Sequence, residues 1–213
     1  MDSAVPELTR AVHDLVLRLP RLDFSVAKGD LPGNGLYFFF ERGEVVNLEG
    51  RPVERIVRVG THSKDGRFPG RIRQHFFENS RTSVFRRHLG GAILRRDNPS
   101  DPRIDGWSSG TQPDFAEVEG LIGQLLRERF TFCAISVANA AEGLHLERGL
   151  IALLAQNPLG SPSPEWLGRH AMSPGIRNSG LWNVQHLNAE PLDNVGFSRF
   201  CELVQAVRVQ AAG

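Results

Sequence analysis

Val5, Leu8, Val12, Leu15 and Leu19 recur at spacings of three and four with charged residues between them, a pattern that predicts an amphipathic helix over 5–19. The pattern then changes. Beyond the turn cluster LPGNG at 31–35, the aromatic run LYFFFE at 36–41 is continuous rather than alternating, as in a central strand buried on both faces. Residues 42–51 set turn formers around a short apolar pair, and ERIVRVG at 54–60 completes a β-hairpin. A polar loop, THSKDGRF, leads into a helix from Pro69 to Glu78, with proline at the start, where its missing N–H costs nothing. A second short helix is expected in SVFRRHLGGAILRR at 83–96, ending near the glycine pair. Residues 97–113 are rich in Pro, Gly, Ser and Asp and are expected to form a long loop, functional or disordered.

The sequence DFAEVEGLIGQLLRERF at 114–130 begins acidic and ends basic, as a helix favours. FTFCAISVA at 130–138 reads as the third strand and AAEGLHLERGLIALLAQN at 140–157 as a strong helix. A Pro/Ser-rich stretch follows, and a last helix is expected over 197–209. No internal repeat is visible.

Composition narrows the class. With 213 residues, 40% of them hydrophobic and 23% charged, the chain reads as one globular domain with an ordinary core. No segment approaches the ~18 consecutive apolar residues of a membrane span, and the chain opens on Asp2 rather than on a basic segment, so neither membrane association nor export is expected. Cys133 and Cys201 lie in apolar settings without metal-ligand spacing; they read as buried free thiols and point to a reducing, cytoplasmic compartment.

The formal net charge of +1 conceals an asymmetry. From Arg58 to Arg96, ten Lys and Arg residues stand against two acids, Asp65 and Glu78, whereas the rest of the chain holds 15 basic and 22 acidic residues. Arginine makes up 23 of the 25 basic residues, but bias alone would spread it evenly. One region is therefore built to meet something negative.

Three features carry candidate chemistry. Glu147 falls amid the stripe Leu144, Leu150, Ile151 and Leu154 of its helix, which should turn its carboxylate toward the fold. A charge there needs a buried arginine or an ion as partner, and both readings stand. Tyr37, the single tyrosine, begins the aromatic strand, where its phenol needs a partner that the following phenylalanines do not. Arg71 and His75 share a helix face by their four-residue spacing, offering a planar fork for phosphate oxygens and a group that titrates near neutral pH. Taken singly, each also fits a packing role or a solvated basic face.

Set in order, GLY at 35–37, RVG at 58–60, Arg71 with His75, Glu147 and then Asn157 resemble the GIY-YIG nuclease superfamily. GLY stands for the first motif element and RVG for the second, with Arg58 where a tyrosine is expected and His62 as the nearby side chain able to replace it. The resemblance makes Arg71 the catalytic arginine, places His75 where members carry Tyr or His, and makes Glu147 the metal-binding glutamate. The family's asparagine has two candidates, Asn157 and Asn183. The match covers about 31–160, leaving 1–30 as an N-terminal helical extension and 161–213 as a C-terminal one within a single domain.

What the resemblance implies is an α/β fold of the α+β kind: a small three-stranded antiparallel sheet flanked by helices, with extra terminal helices. It implies metal-dependent hydrolysis of a phosphodiester, with one Mg2+ or Mn2+ held by Glu147 and by water. Tyr37 would act as general base or orient the attacking water, Arg71 would stabilise charge on the phosphate, and His75 would orient either. Arg67, Arg73, Arg81, Arg86 and Arg87 would track a nucleic-acid backbone, DNA ahead of RNA. A homodimer is compatible with this reading. A restriction-type endonuclease that reads sequence through 97–113 and 158–191, and a binding module without catalysis, are the competing readings.

Overall fold

The computed structural model describes residues 4–110 and 116–211, with side chains from 7 to 110 and 116 to 207. Val5 and Val209 as side chains, and the 111–115 junction between the predicted loop and the predicted helix, lie outside this description. The elements run α1 (Ala4–Leu17), β1 (Gly35–Leu48), β2 (Arg51–Gly60), α2 (Phe68–Phe77), α3 (Val84–Asp97), α4 (Arg103–Ser109), α5 (Ala116–Arg129), β3 (Phe130–Ser136), α6 (Ala140–Gln156), α7 (Pro174–Ser179) and α8 (Asn194–Ala211). The fold is the expected mixed α/β one, a three-stranded antiparallel sheet in the order β2-β1-β3 between helices.

The continuous aromatic run occupies the middle strand because both of its faces are covered. Tyr37 and Phe39 point to one side, into a core with Phe76, Phe85, Leu89, Phe132, Trp166 and Trp182. Leu36, Phe38 and Phe40 point to the other, against Val12, Val16, Leu150, Phe200 and Val204. Burial of each such ring contributes about 1.5–3 kcal/mol, so β1 anchors both layers.

Both outer edges of the sheet are met by the segments outside the motif region. Leu22 exchanges two backbone hydrogen bonds of 2.8 Å with Phe132 on β3. On β2, Trp182 N–H donates to the Val57 carbonyl at 2.7 Å, and the Asn183 side-chain amide pairs with the Val59 backbone at 3.1 and 2.8 Å. Each edge strand is thereby partly covered, β3 at Phe132 and β2 at Val57 and Val59.

The structure departs from the sequence expectation at three places. The hairpin strands continue through 42–51, past an irregular stretch at Gly43, to a turn at Glu49 and Gly50 with φ of 53° and 82°, where Asn47 Oδ1 accepts the Gly50 N–H at 2.7 Å. Two positive φ values in a two-residue turn match the twist of a hairpin. The second departure is α3, which runs through Gly90 and Gly91 instead of ending there. The reason is Trp107: a Cβ on Gly90 would lie 2.2 Å from its indole. Third, the segment expected to be a loop contains α4, whose Ile104 and Trp107 are buried on the core and whose Trp107 Nε1–H donates to the Arg87 carbonyl at 2.7 Å.

Candidate active site

The glycines of the two motif elements have packing reasons. On the paired strands Tyr37 stands opposite Gly60, and a Cβ on Gly60 would lie 2.0 Å from the Tyr37 hydroxyl. Gly35 similarly leaves room for the Phe68 ring at 2.8 Å. Strand β1 thus slides its phenol beneath the end of β2, toward α2.

There Tyr37 Oη lies 2.8 Å from His75 Nε2, and His75 Nδ1 lies 2.9 Å from Ser83 Oγ. All three residues are fully buried. Burial, reinforced by Arg71, Arg58 and Arg86, holds the His75 pKa well below the ordinary imidazole value, so the ring is neutral. A neutral imidazole carries one proton: it donates to one of these hydroxyls and accepts from the other. Ser83 is also the N-cap of α3, accepting the Arg86 N–H at 3.3 Å.

Next to this buried chain of hydrogen bonds, across Arg71 and Thr61, is an open pocket. Arg71 and Gln74 form its α2 wall, Glu147 its α6 wall, and Thr61, His62 and Lys64 its third side. Arg71 Nη1 donates to Gln74 Oε1 at 3.1 Å, which holds the guanidinium along the wall. Glu147 is half-buried, and Oε1 accepts the Thr61 N–H at 3.2 Å. Burial raises the Glu147 pKa, while Arg58, the Thr61 N–H and Arg71 draw it back down. Of the expected stripe, Leu150, Ile151 and Leu154 face the core together with Leu146 and Leu153, whereas Leu144 is 42% exposed at the pocket. Glu147 consequently faces the pocket margin rather than the packed interior.

The remaining candidates divide. His62 is buried beside the pocket, its Nε2–H donating to Asn34 Oδ1 at 2.9 Å, and burial lowers its pKa. Arg58 lies over the Phe85 ring at 4.9 Å, donates to the Trp182 carbonyl and approaches Tyr37 Oη only at 3.4 Å. Asn183 is one residue from that carbonyl and sits against Val59, next to Gly60. Asn157 caps the far end of α6, about 15 Å along the helix from Glu147 by the helical rise. Of the two asparagines, the structure brings only Asn183 near the site.

The basic set divides too. Arg67 is exposed at the pocket mouth, and Arg73 and Arg81 are exposed beyond it. Arg87 is half-buried, with Nη2 3.4 Å from the Ser80 carbonyl. Arg86 is a correction: it is buried, pairs with Glu119 at 2.9 Å and donates to the His75 carbonyl at 3.1 Å, so its guanidinium braces the histidine and is closed to a nucleic-acid backbone. Sequence reasoning missed Ser83, Thr61, Lys64, Glu78 and Gln185. Of these, only Ser83 left a trace, as a helix cap four residues before Arg87.

A family profile described as the GIY-YIG domain matches residues 7–210. The chain belongs to the GIY-YIG family. The match takes in α1, the edge-covering segments and α8 as well as the motif strands, so the GIY-YIG domain here includes the elements that partly cover the sheet edges. No curated protein and no solved structure matches the chain. Membership places it in a superfamily of nucleases that act on nucleic acid.

Proposed function

We propose that this GIY-YIG domain is a metal-dependent endonuclease that hydrolyses phosphodiester bonds in DNA. The observation that carries the reading is that Arg71 from α2 and Glu147 from α6 line one pocket, with the buried Tyr37–His75 pair packed against Gly60, the neighbour of the pocket residue Thr61. Arg71 presents donors to the phosphate oxygens and stabilises the charge that builds on them. Tyr37 positions the attacking water or takes its proton, and the neutral His75 ring takes up or returns a proton at Nε2. The phenol lies beneath Gly60, one residue from Thr61 at the pocket.

The donor set suits one hard divalent ion, Mg2+ or Mn2+. Glu147 is a carboxylate whose charge burial disfavours, and a cation would offset that cost. Among the described residues no group of three His, Cys, Asp or Glu side chains gathers to cage a metal, so the ion would keep waters and phosphate oxygens as ligands. When bound, it supplies Lewis-acid polarisation of the phosphate and a more acidic water.

The burial of Tyr37 and His75 favours one other reading, a nucleic-acid-binding domain that does not cleave. Plasmid and oligonucleotide cleavage with Mg2+, Mn2+ or EDTA separates the two. Metal-dependent cleavage that disappears in folded Arg71→Ala and Glu147→Ala variants is the expected result. No cleavage, with salt-sensitive binding untouched by Glu147→Ala, would leave the binding domain. No helix among the described residues is long and apolar enough to cross a membrane; a cytoplasmic location, given the free Cys133 and Cys201, is part of the proposal.

A further inference from the structure

Helix α2 separates two surfaces. Gly70, Arg71, Gln74 and Glu78 face the pocket, whereas Ile72, Arg73, Phe76 and Phe77 form one side of a second, smaller groove. Phe24 from the segment before β1 forms its other side, with Lys28 at the margin. Phe77 is 54% exposed, and the Arg73 guanidinium lies 5.5 Å from its ring centroid. The floor is apolar and aromatic, but both of its charges are positive and exposed. Neither is held in an ion pair by a described residue.

An apolar protein segment would be served by the floor alone and gains nothing from two cations beside it. A nucleic-acid strand uses both features: phosphates meet Arg73 and Lys28 while a base lies on an aromatic ring. Duplex DNA keeps its bases stacked on one another and offers none to such a floor. The two surfaces are separated by one helix, about 10 Å across, a span of one or two nucleotides of an extended strand.

We propose that Phe77 is a stacking platform for an unpaired base in a single-stranded segment adjoining the phosphate held by the pocket, with Arg73 and Lys28 on its flanking phosphates. This rests on the reading that the pocket takes a nucleic-acid phosphate, and it makes the preferred substrate one with a single-stranded flank rather than a plain duplex.

The test is equilibrium binding in EDTA of an oligothymidylate and of a blunt duplex to the full chain, comparing wild type, Phe77→Ala and Phe77→Trp at fixed salt, with thermal unfolding as a folding control. Loss of one stacked base should weaken oligothymidylate binding about 5- to 100-fold in Phe77→Ala, leave duplex binding unchanged, and be restored by Phe77→Trp. Equal losses on both nucleic acids, or no loss on either, would overturn the proposal. Binding in EDTA does not depend on cleavage. Phe77-dependent binding without cleavage by the wild type would therefore remove the nuclease reading and keep the platform, whereas cleavage without Phe77 dependence would do the reverse. A wild type that binds neither nucleic acid would end the platform, and cleavage with Mg2+ or Mn2+ would decide the nuclease reading separately.

Discussion

Toward one end of β1, beneath the hairpin, Glu44 and Arg55 form an ion pair at 2.7 Å with side chains only 1% and 6% exposed. Glu44 also accepts from the Ser163 backbone N–H at 3.2 Å and from its hydroxyl, and nearby Glu41 Oε2 accepts the indole N–H groups of Trp166 and Trp182, each at 3.1 Å. Toward the other end, Glu147 and Arg71 share a pocket, and the Glu147 carboxylate accepts a backbone N–H. Burial raises the pKa of both Glu41 and Glu147. The difference is access. The hairpin cluster spends its hydrogen bonds on fastening the 158–183 segment to the sheet, while the pocket leaves charge facing a space that a ligand can enter. A buried carboxylate with a shifted pKa is thus not in itself a site.

The sharpest way to break this comparison is to remove charge from each region. Arg71→Ala or Glu147→Ala should lower cleavage by about 10²- to 10³-fold or more, with a melting temperature close to wild type. Glu44→Ala should do the opposite. Orphaning Arg55 should cost about 3–5 kcal/mol of stability, read by denaturant unfolding, while the protein that remains folded cleaves normally.

Acid should separate the regions next. Burial lowers the pKa of His13, which lies near Arg55, to about 4, and puts that of His75 well below its ordinary value. The unfolded chain takes up these protons near 6.5, so below that pH it binds more protons than the folded state. The stability these histidines contribute is therefore complete above 6.5 and is lost as pH falls toward about 4. Melting temperatures measured from pH 7 to 4.5 should show that decline. His13→Gln should flatten it without affecting cleavage, whereas His75→Gln should flatten it and reduce cleavage; equal effects on cleavage would mean that the two regions are not distinct.

The smallest effect on cleavage concerns Ser83, which both caps α3 and meets His75. As a lost cap, Ser83→Ala should cost about 1 kcal/mol of stability and Ser83→Gly only a few tenths, and both should lose a further ~1–3 kcal/mol by leaving the buried His75 Nδ1 without its partner. Both lack the hydroxyl, so both should lower cleavage by the same factor, about 2- to 10-fold, and shift its pH profile. Activity that tracked stability instead would make the serine a cap and nothing more.

Much of the fold was legible because it rests on local pattern. The aromatic run specified a central strand, the three-and-four spacing specified α1 and α6, and the order of GLY, RVG, Arg71 and Glu147 pointed to the family. Misreadings arose where distant residues decide the outcome. Gly90 and Gly91 read as a helix end because glycine disfavours helix, yet the Trp107 indole occupies the space that a Gly90 side chain would fill. Arg86 looked like the other arginines of its stretch, and only the approach of Glu119 from α5 made it a buried brace.

By itself, then, the sequence determined the strands, the main helices and the residue types available for phosphate chemistry, since periodicity and composition act along the chain. Tertiary structure decided which of those residues meet. It put Tyr37 under Gly60, turned Glu147 to the pocket, drew Asn183 rather than Asn157 toward the site, and partly covered the sheet edges with segments that carry no motif. The physical reason is that access, desolvation and hydrogen-bond partners are set by groups distant in sequence, and no local pattern encodes them.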